Sequence, residues 1–129
     1  MSNEEVMAAS QKAIENSQRL RYVRALERFF KGMVSYLSNT ETLTQEGYDK
    51  KIQNSLKLLN RAEAIDLYKG ELKDLETLVK KMIAYENSSE EIENIKEELL
   101  YSANQLEKSK NARRYKKEKH NKNMYKDWE

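Results

Sequence analysis

Proline is absent from all 129 residues of this chain, and that absence limits the possible folds more than any other feature. No residue removes a backbone donor or locks its φ angle, so helices can run uninterrupted for many turns. Glu, Lys, Leu and Ala are abundant and β-branched residues few, which favours the same state.

The spacing of apolar residues agrees. Leu20, Val23, Leu26, Phe30, Met33, Val34 and Leu37 recur at intervals of three and four, which predicts a first helix from about Asn3 or Glu4 to about Ser38. Its first half, around Ala8, Ala9, Ser10 and Ser17, is poorer in large side chains. Residues 38–44 read as a loop, with Thr44 as the N-cap of the next helix. A second stripe then runs through Tyr48, Ile52, Leu56, Leu59, Ala62, Ile65 and Tyr68, and it passes Gly70 in phase to continue as Leu72, Leu75, Val79 and Met82. An interior glycine costs only about 1 kcal/mol relative to alanine. No Ser, Thr, Asp or Asn stands ready to cap a new start, so the expectation is one long helix over residues 45–85, with a break at Gly70 as the alternative. Ser88-x-x-Glu91 has the spacing of a capping box, and Ile92, Ile95, Leu99, Ala103 and Leu106 come next on one helical face.

Short loops between long helices place neighbours antiparallel. The expected fold is therefore all-α: an elongated antiparallel bundle of three long helices, or four if broken at Gly70, over residues 1–107. The apolar stripe stops at Leu106, so residues 108–129 form a basic C-terminal extension. Leu, Ile, Val and Phe together make up only 26 residues, a proportion at which a core is thin. Homodimerisation would be one way to complete it.

Without cysteine the chain can form no disulfide, zinc–thiolate site, iron–sulfur cluster or thiol nucleophile. Apolar runs such as Leu99-Leu100-Tyr101 are far too short for a membrane span, and the acidic start MSNEE has no signal-peptide character. A cytoplasmic location with no membrane partner is expected.

The net charge of +2 conceals an uneven distribution. Residues 1–107 hold 15 Lys and Arg against 19 Asp and Glu, whereas residues 108–129 hold 9 against 3. Lys108, Lys110, Arg113, Arg114, Lys116, Lys117, Lys119 and Lys122, interleaved with Tyr115 and followed by Tyr125, have the composition of a segment that tracks phosphates and stacks on bases. Nucleic acid is the partner this points to, with an acidic protein as the alternative. Beyond the basic run, Met124, Tyr125 and Trp128 would share one face of a helix and form a small docking element for a protein partner, acting as in a scaffold or chaperone-like bundle. A further basic line, Arg21, Arg24, Arg28 and Lys31, occupies one side of the first helix. It is expected to pair with the acidic line Glu90, Glu93 and Glu97 across the bundle, or else to add a second positive surface.

Residues 114–120, RYKKEKH, place an arginine six positions before the only histidine. This stretch resembles the Arg-x5-His motif of the HEPN ribonucleases, which are small all-helical bundles. The resemblance implies Arg114 and His120 as a catalytic pair, His120 in acid–base transfer at the scissile phosphate and Arg114 stabilising charge. It covers seven residues, and Tyr115 stands where that family has a small polar residue. The chain as a whole reads as a non-enzymatic adaptor or regulator. Glu118-x-His120 lacks the Glu-x-x-His spacing of a di-metal bundle, and three glycines supply no phosphate loop or nucleophile elbow. No metal or cofactor is expected.

Overall fold

The computed structural model describes residues 3–126, with side chains described over residues 10–109. Among them the chain forms four helices and no strand: α1 (Asn3–Asn39), α2 (Gln45–Leu59), α3 (Gly70–Ala84) and α4 (Ile92–Lys126). The all-α bundle expected from the apolar spacing is present, in its four-helix version.

The single helix expected over residues 45–85 is instead broken across residues 60–69, which turn at residues 60–62 and then run as a non-helical strap between α2 and α3. Geometry explains the break better than local propensity does. A straight helix over residues 45–85 would extend about 60 Å, whereas the core-bearing stretch of α1, residues 22–37, extends about 24 Å. Half of the long stripe would therefore overshoot its partner and stay wet. Folding back buries Leu67 in the strap and Leu75, Leu78, Val79 and Met82 on α3, at about 1.5–3 kcal/mol for each large aliphatic side chain removed from water. The lack of a capping side chain before Gly70 does not prevent the new helix: Lys69 occupies the N-cap position with no side-chain cap bond, and Glu71 lies in the first turn, where the helix dipole favours an acid.

α1 contacts every other helix and serves as the mast of the bundle. It runs antiparallel to α2, with Tyr36 close to Gly47 at one end and Arg28 beside Leu58 towards the other. Tyr22, Leu26, Phe29, Phe30, Met33 and Leu37 supply its buried face, against Tyr48 and Ile52 of α2, the α3 residues already named, and Ile95, Leu99 and Ala103 of α4. Leu20 and Tyr68, assigned to the apolar stripes from their spacing, instead face outwards at 51% and 75% exposure. Leu20 falls before the level at which the α1 core begins, and Tyr68 belongs to the strap, where a helical period no longer applies.

The two loops at one end lie side by side. Thr44 caps α2 as expected, its hydroxyl accepting from the Gly47 N–H at 3.0 Å. Ser88 does not form the expected capping box: its hydroxyl accepts from the Glu90 N–H within a turn, and α4 begins only at Ile92. The acidic cluster still precedes a helix start, one turn later than the motif implied.

Candidate anion-binding groove

Helical spacing sets Arg21, Arg24 and Arg28 along one flank of α1, at i, i+3 and i+7. Ala25, buried between them, is small enough to let α2 approach. Leu58 comes from the last turn of α2, and Arg61 and Ala62 stand just beyond its end. The result is a groove of about 220 Å³ lined by Arg21, Arg24, Ala25, Arg28, Leu58, Arg61 and Ala62. Four arginines thus share the groove's lining with the apolar Ala25, Leu58 and Ala62, and all four are exposed.

No carboxylate lines this groove. The ion pairs found among the described residues join Lys50 to Glu46, Lys80 to Glu76 and Lys81 to Glu98, so the four arginines have no acidic partner there. The pairing expected between Arg21, Arg24, Arg28 and Lys31 and the line Glu90, Glu93 and Glu97 does not form. Arg21, Arg24 and Arg28 flank the seam with α2, while the three glutamates are exposed on and just before the start of α4. Lys31 is separated from the other three, bordering a different hollow with Glu27, Phe30, Glu71 and Leu106.

A four-fold cationic groove without internal neutralisation is costly in self-repulsion unless solvent or a ligand screens it. Guanidinium forks match the paired oxygens of a phosphate, and the apolar side chains of Ala25, Leu58 and Ala62 lower the local dielectric around them.

Around the strap from this groove lies a second feature. Arg19 donates from Nε to the Asp66 carbonyl at 3.0 Å and from Nη1 to Asn16 Oδ1 at 3.1 Å, and its guanidinium lies 4.5 Å from the centre of the Tyr68 ring. Nearby, the Tyr22 hydroxyl donates to Glu76 Oε2 at 2.5 Å. Burial, and then this bond to a carboxylate, push the Tyr22 phenol well above its ordinary range, so it stays protonated as the donor. Tyr22, Tyr68, Lys73, Glu76 and Lys80 border an open cleft of about 620 Å³ beside the strap.

Of the basic residues singled out from the sequence, Lys108 is exposed on α4. Lys110, Arg113, Arg114, Lys116, Lys117, Lys119 and Lys122 continue the same helix, as do His120, Met124 and Tyr125, and the positions of their side chains lie outside the described residues. Trp128 lies outside them altogether. The structure brings Arg61 to the α1 arginines, a grouping invisible in the sequence because it depends on α2 ending at Leu59. Arg19 and Tyr68 are also 49 positions apart, with no motif linking them.

No group of acidic or histidine side chains suited to a metal ion occurs among the described residues, and no helix there is long and apolar enough to cross a membrane. No protein-family model matches the chain, and neither a curated protein nor a solved structure is significantly similar to it.

Proposed function

We propose that this protein is a non-enzymatic adaptor that binds nucleic acid through the phosphate backbone. The observation that carries the reading is the groove in which Arg21, Arg24, Arg28 and Arg61 converge with no acidic partner among the described residues. The basic run that begins at Lys108 supplies further cations for a long polyanion. Binding of this kind draws its free energy mainly from counterion release and carries little base specificity.

Salt dependence is the direct test. The affinity of the full chain for a labelled oligonucleotide is expected to fall linearly on a log–log plot against salt, with a slope of about −0.7 to −0.9 per phosphate contacted. Arg24→Glu with Arg28→Glu is expected to flatten that slope, and Lys110→Gln with Arg113→Gln to flatten it further. An affinity unchanged by both pairs of substitutions would overturn the reading. Equal affinity for polyglutamate at matched charge would instead identify an acidic protein surface as the partner.

A further inference from the structure

The groove explains contacts to phosphates but does not account for Tyr68. This ring is 75% exposed, yet it is held in place: Arg19 covers one face at 4.5 Å, and Arg19 is itself pinned by the Asp66 carbonyl and Asn16. The only other strongly exposed tyrosine on a described surface, Tyr101 at 66%, has no such backing cation. Rigid aromatic faces supported by arginine are what nucleic-acid binders use to hold an unstacked base, because every base has a π-face and the arginine adds a cation–π contribution.

Position and space agree with that use. Tyr68 borders the cleft of about 620 Å³ together with Tyr22 and Lys73, and with Asp66 and the ion-paired Glu76 and Lys80; an uncharged base face, unlike a phosphate, is compatible with that mixed charge. The strap joins the two sites directly: Arg61 and Ala62 line the arginine groove, and six residues beyond Ala62 the chain reaches Tyr68. Six extended residues span at most about 20 Å, a distance that a few nucleotides of an unpaired strand cover.

We infer that the cleft beside the strap accepts an unstacked base against the free face of Tyr68, and that the ligand of this protein is consequently a single strand. The inference rests on the backbone-binding function proposed above and adds the class of nucleic acid to it. A duplex satisfies the arginine groove but keeps its bases stacked and out of reach. A single strand engages both sites, its phosphates on Arg21, Arg24, Arg28 and Arg61 and one base on Tyr68.

The test measures fluorescence anisotropy with the full chain at fixed salt, on labelled single strands of RNA and of DNA, their duplexes, and single strands carrying abasic positions. The intact single strand is expected to bind more tightly than the duplex, in the RNA arm, the DNA arm or both. Tyr68→Ala is expected to weaken single-strand binding about fivefold or more with the duplex affinity and the salt slope unchanged; Tyr68→Phe, which keeps the ring, should bind as the wild type does. Abasic strands should lose the same factor and become indifferent to Tyr68→Ala, while Tyr101→Ala should change nothing. Matching circular dichroism and melting of the Tyr68 variants would show that the fold is intact. Tyr68→Ala binding single strands like the wild type, while Arg24→Glu with Arg28→Glu still abolishes binding, would overturn this inference and leave the backbone reading standing. Failure of the wild type to bind any strand at low salt would overturn both.

Discussion

The two ends of this bundle differ in what their polar side chains do. At the loop end, where residues 40–44 and 85–91 meet, polar side chains complete the backbone. Thr44 caps α2, and the Tyr48 hydroxyl donates to the Met82 carbonyl at 2.5 Å in the last turn of α3, where helical N–H partners run out. Gln45 donates to the Tyr85 carbonyl, and Asp49 accepts both from Gln45 and from the Asn87 N–H. Asn87 takes a positive φ of 57°, a conformation that asparagine tolerates better than most residues. At the strap end Arg19 still supports the backbone, donating to the Asp66 carbonyl, and Tyr22 donates to Glu76, but the cationic side chains face outwards. Four arginines stand around a groove without an acid, and a tyrosine lies open to solvent on an arginine. The loop end turns most of its polar groups inward, with Gln45 Oε1 the buried side-chain atom left without a partner among the described residues, whereas the strap end presents cations to solvent; that asymmetry is why the proposed binding surface is placed at the strap end.

The contrast can be broken most forcefully in the core. Met82→Ala, at a fully buried position beside the loop end, is expected to cost about 2–5 kcal/mol in urea unfolding. Leu67→Ala, in the strap, removes a side chain that is almost as buried but should cost less than half as much. The strap has few backbone hydrogen bonds of its own and can open locally. Hydrogen exchange should accordingly be fast over residues 63–68 and slow over α1 and α3. Equal losses at the two positions would show that the strap belongs to the same cooperative unit as the loop end.

Next in size is Tyr48→Phe, which leaves the Met82 carbonyl without its donor inside the protein and should cost about 1–3 kcal/mol, read from the same unfolding curves. The groove should behave in the reverse manner. Arg24→Glu with Arg28→Glu should change stability by no more than about 0.5 kcal/mol while weakening nucleic-acid binding at least tenfold, equivalent to about 1.4 kcal/mol. A large stability loss there would mean that the arginines serve the fold.

The smallest expected effect is the pH response of the loop end. Lys81, and then the Tyr85 hydroxyl, hold the Glu98 carboxyl below its ordinary value of 4.5. Its contribution to stability is therefore present above that value and lost as pH falls through the lower folded-state value. Tyr85 behaves oppositely: its bond to Glu98, with some burial, pushes its phenol up to about 12 from 10.0, so its contribution holds below pH 10.0 and disappears as pH climbs towards 12. Tyr85→Phe should flatten the alkaline limb of a stability–pH curve, and Glu98→Gln both limbs.

Much of this architecture was legible in the residue pattern. The limits of α1, the Thr44 cap, the buried face of α4 through Ile95, Leu99 and Ala103, and the charge step near Lys108 all stem from spacing and chemistry that act within a few turns. The candidate site was legible only in part. Arg21, Arg24 and Arg28 were visible as a stripe, but their expected acidic partners Glu90, Glu93 and Glu97 proved to lie elsewhere. Arg61, Arg19 and Tyr68 carried no local signal.

The sequence alone determined that the chain is helical, since a chain without proline and with apolar residues at intervals of three and four has no better way to pair its backbone and bury its side chains. Only the tertiary structure decided where the second stripe breaks. Residues 60–69 have no strong helix breaker, and their non-helical course results from the short core-bearing stretch of α1, past which a straight helix would have left Leu75, Val79 and Met82 in water. From that one non-local choice come both the strap and the meeting of Arg61 with the arginines of α1.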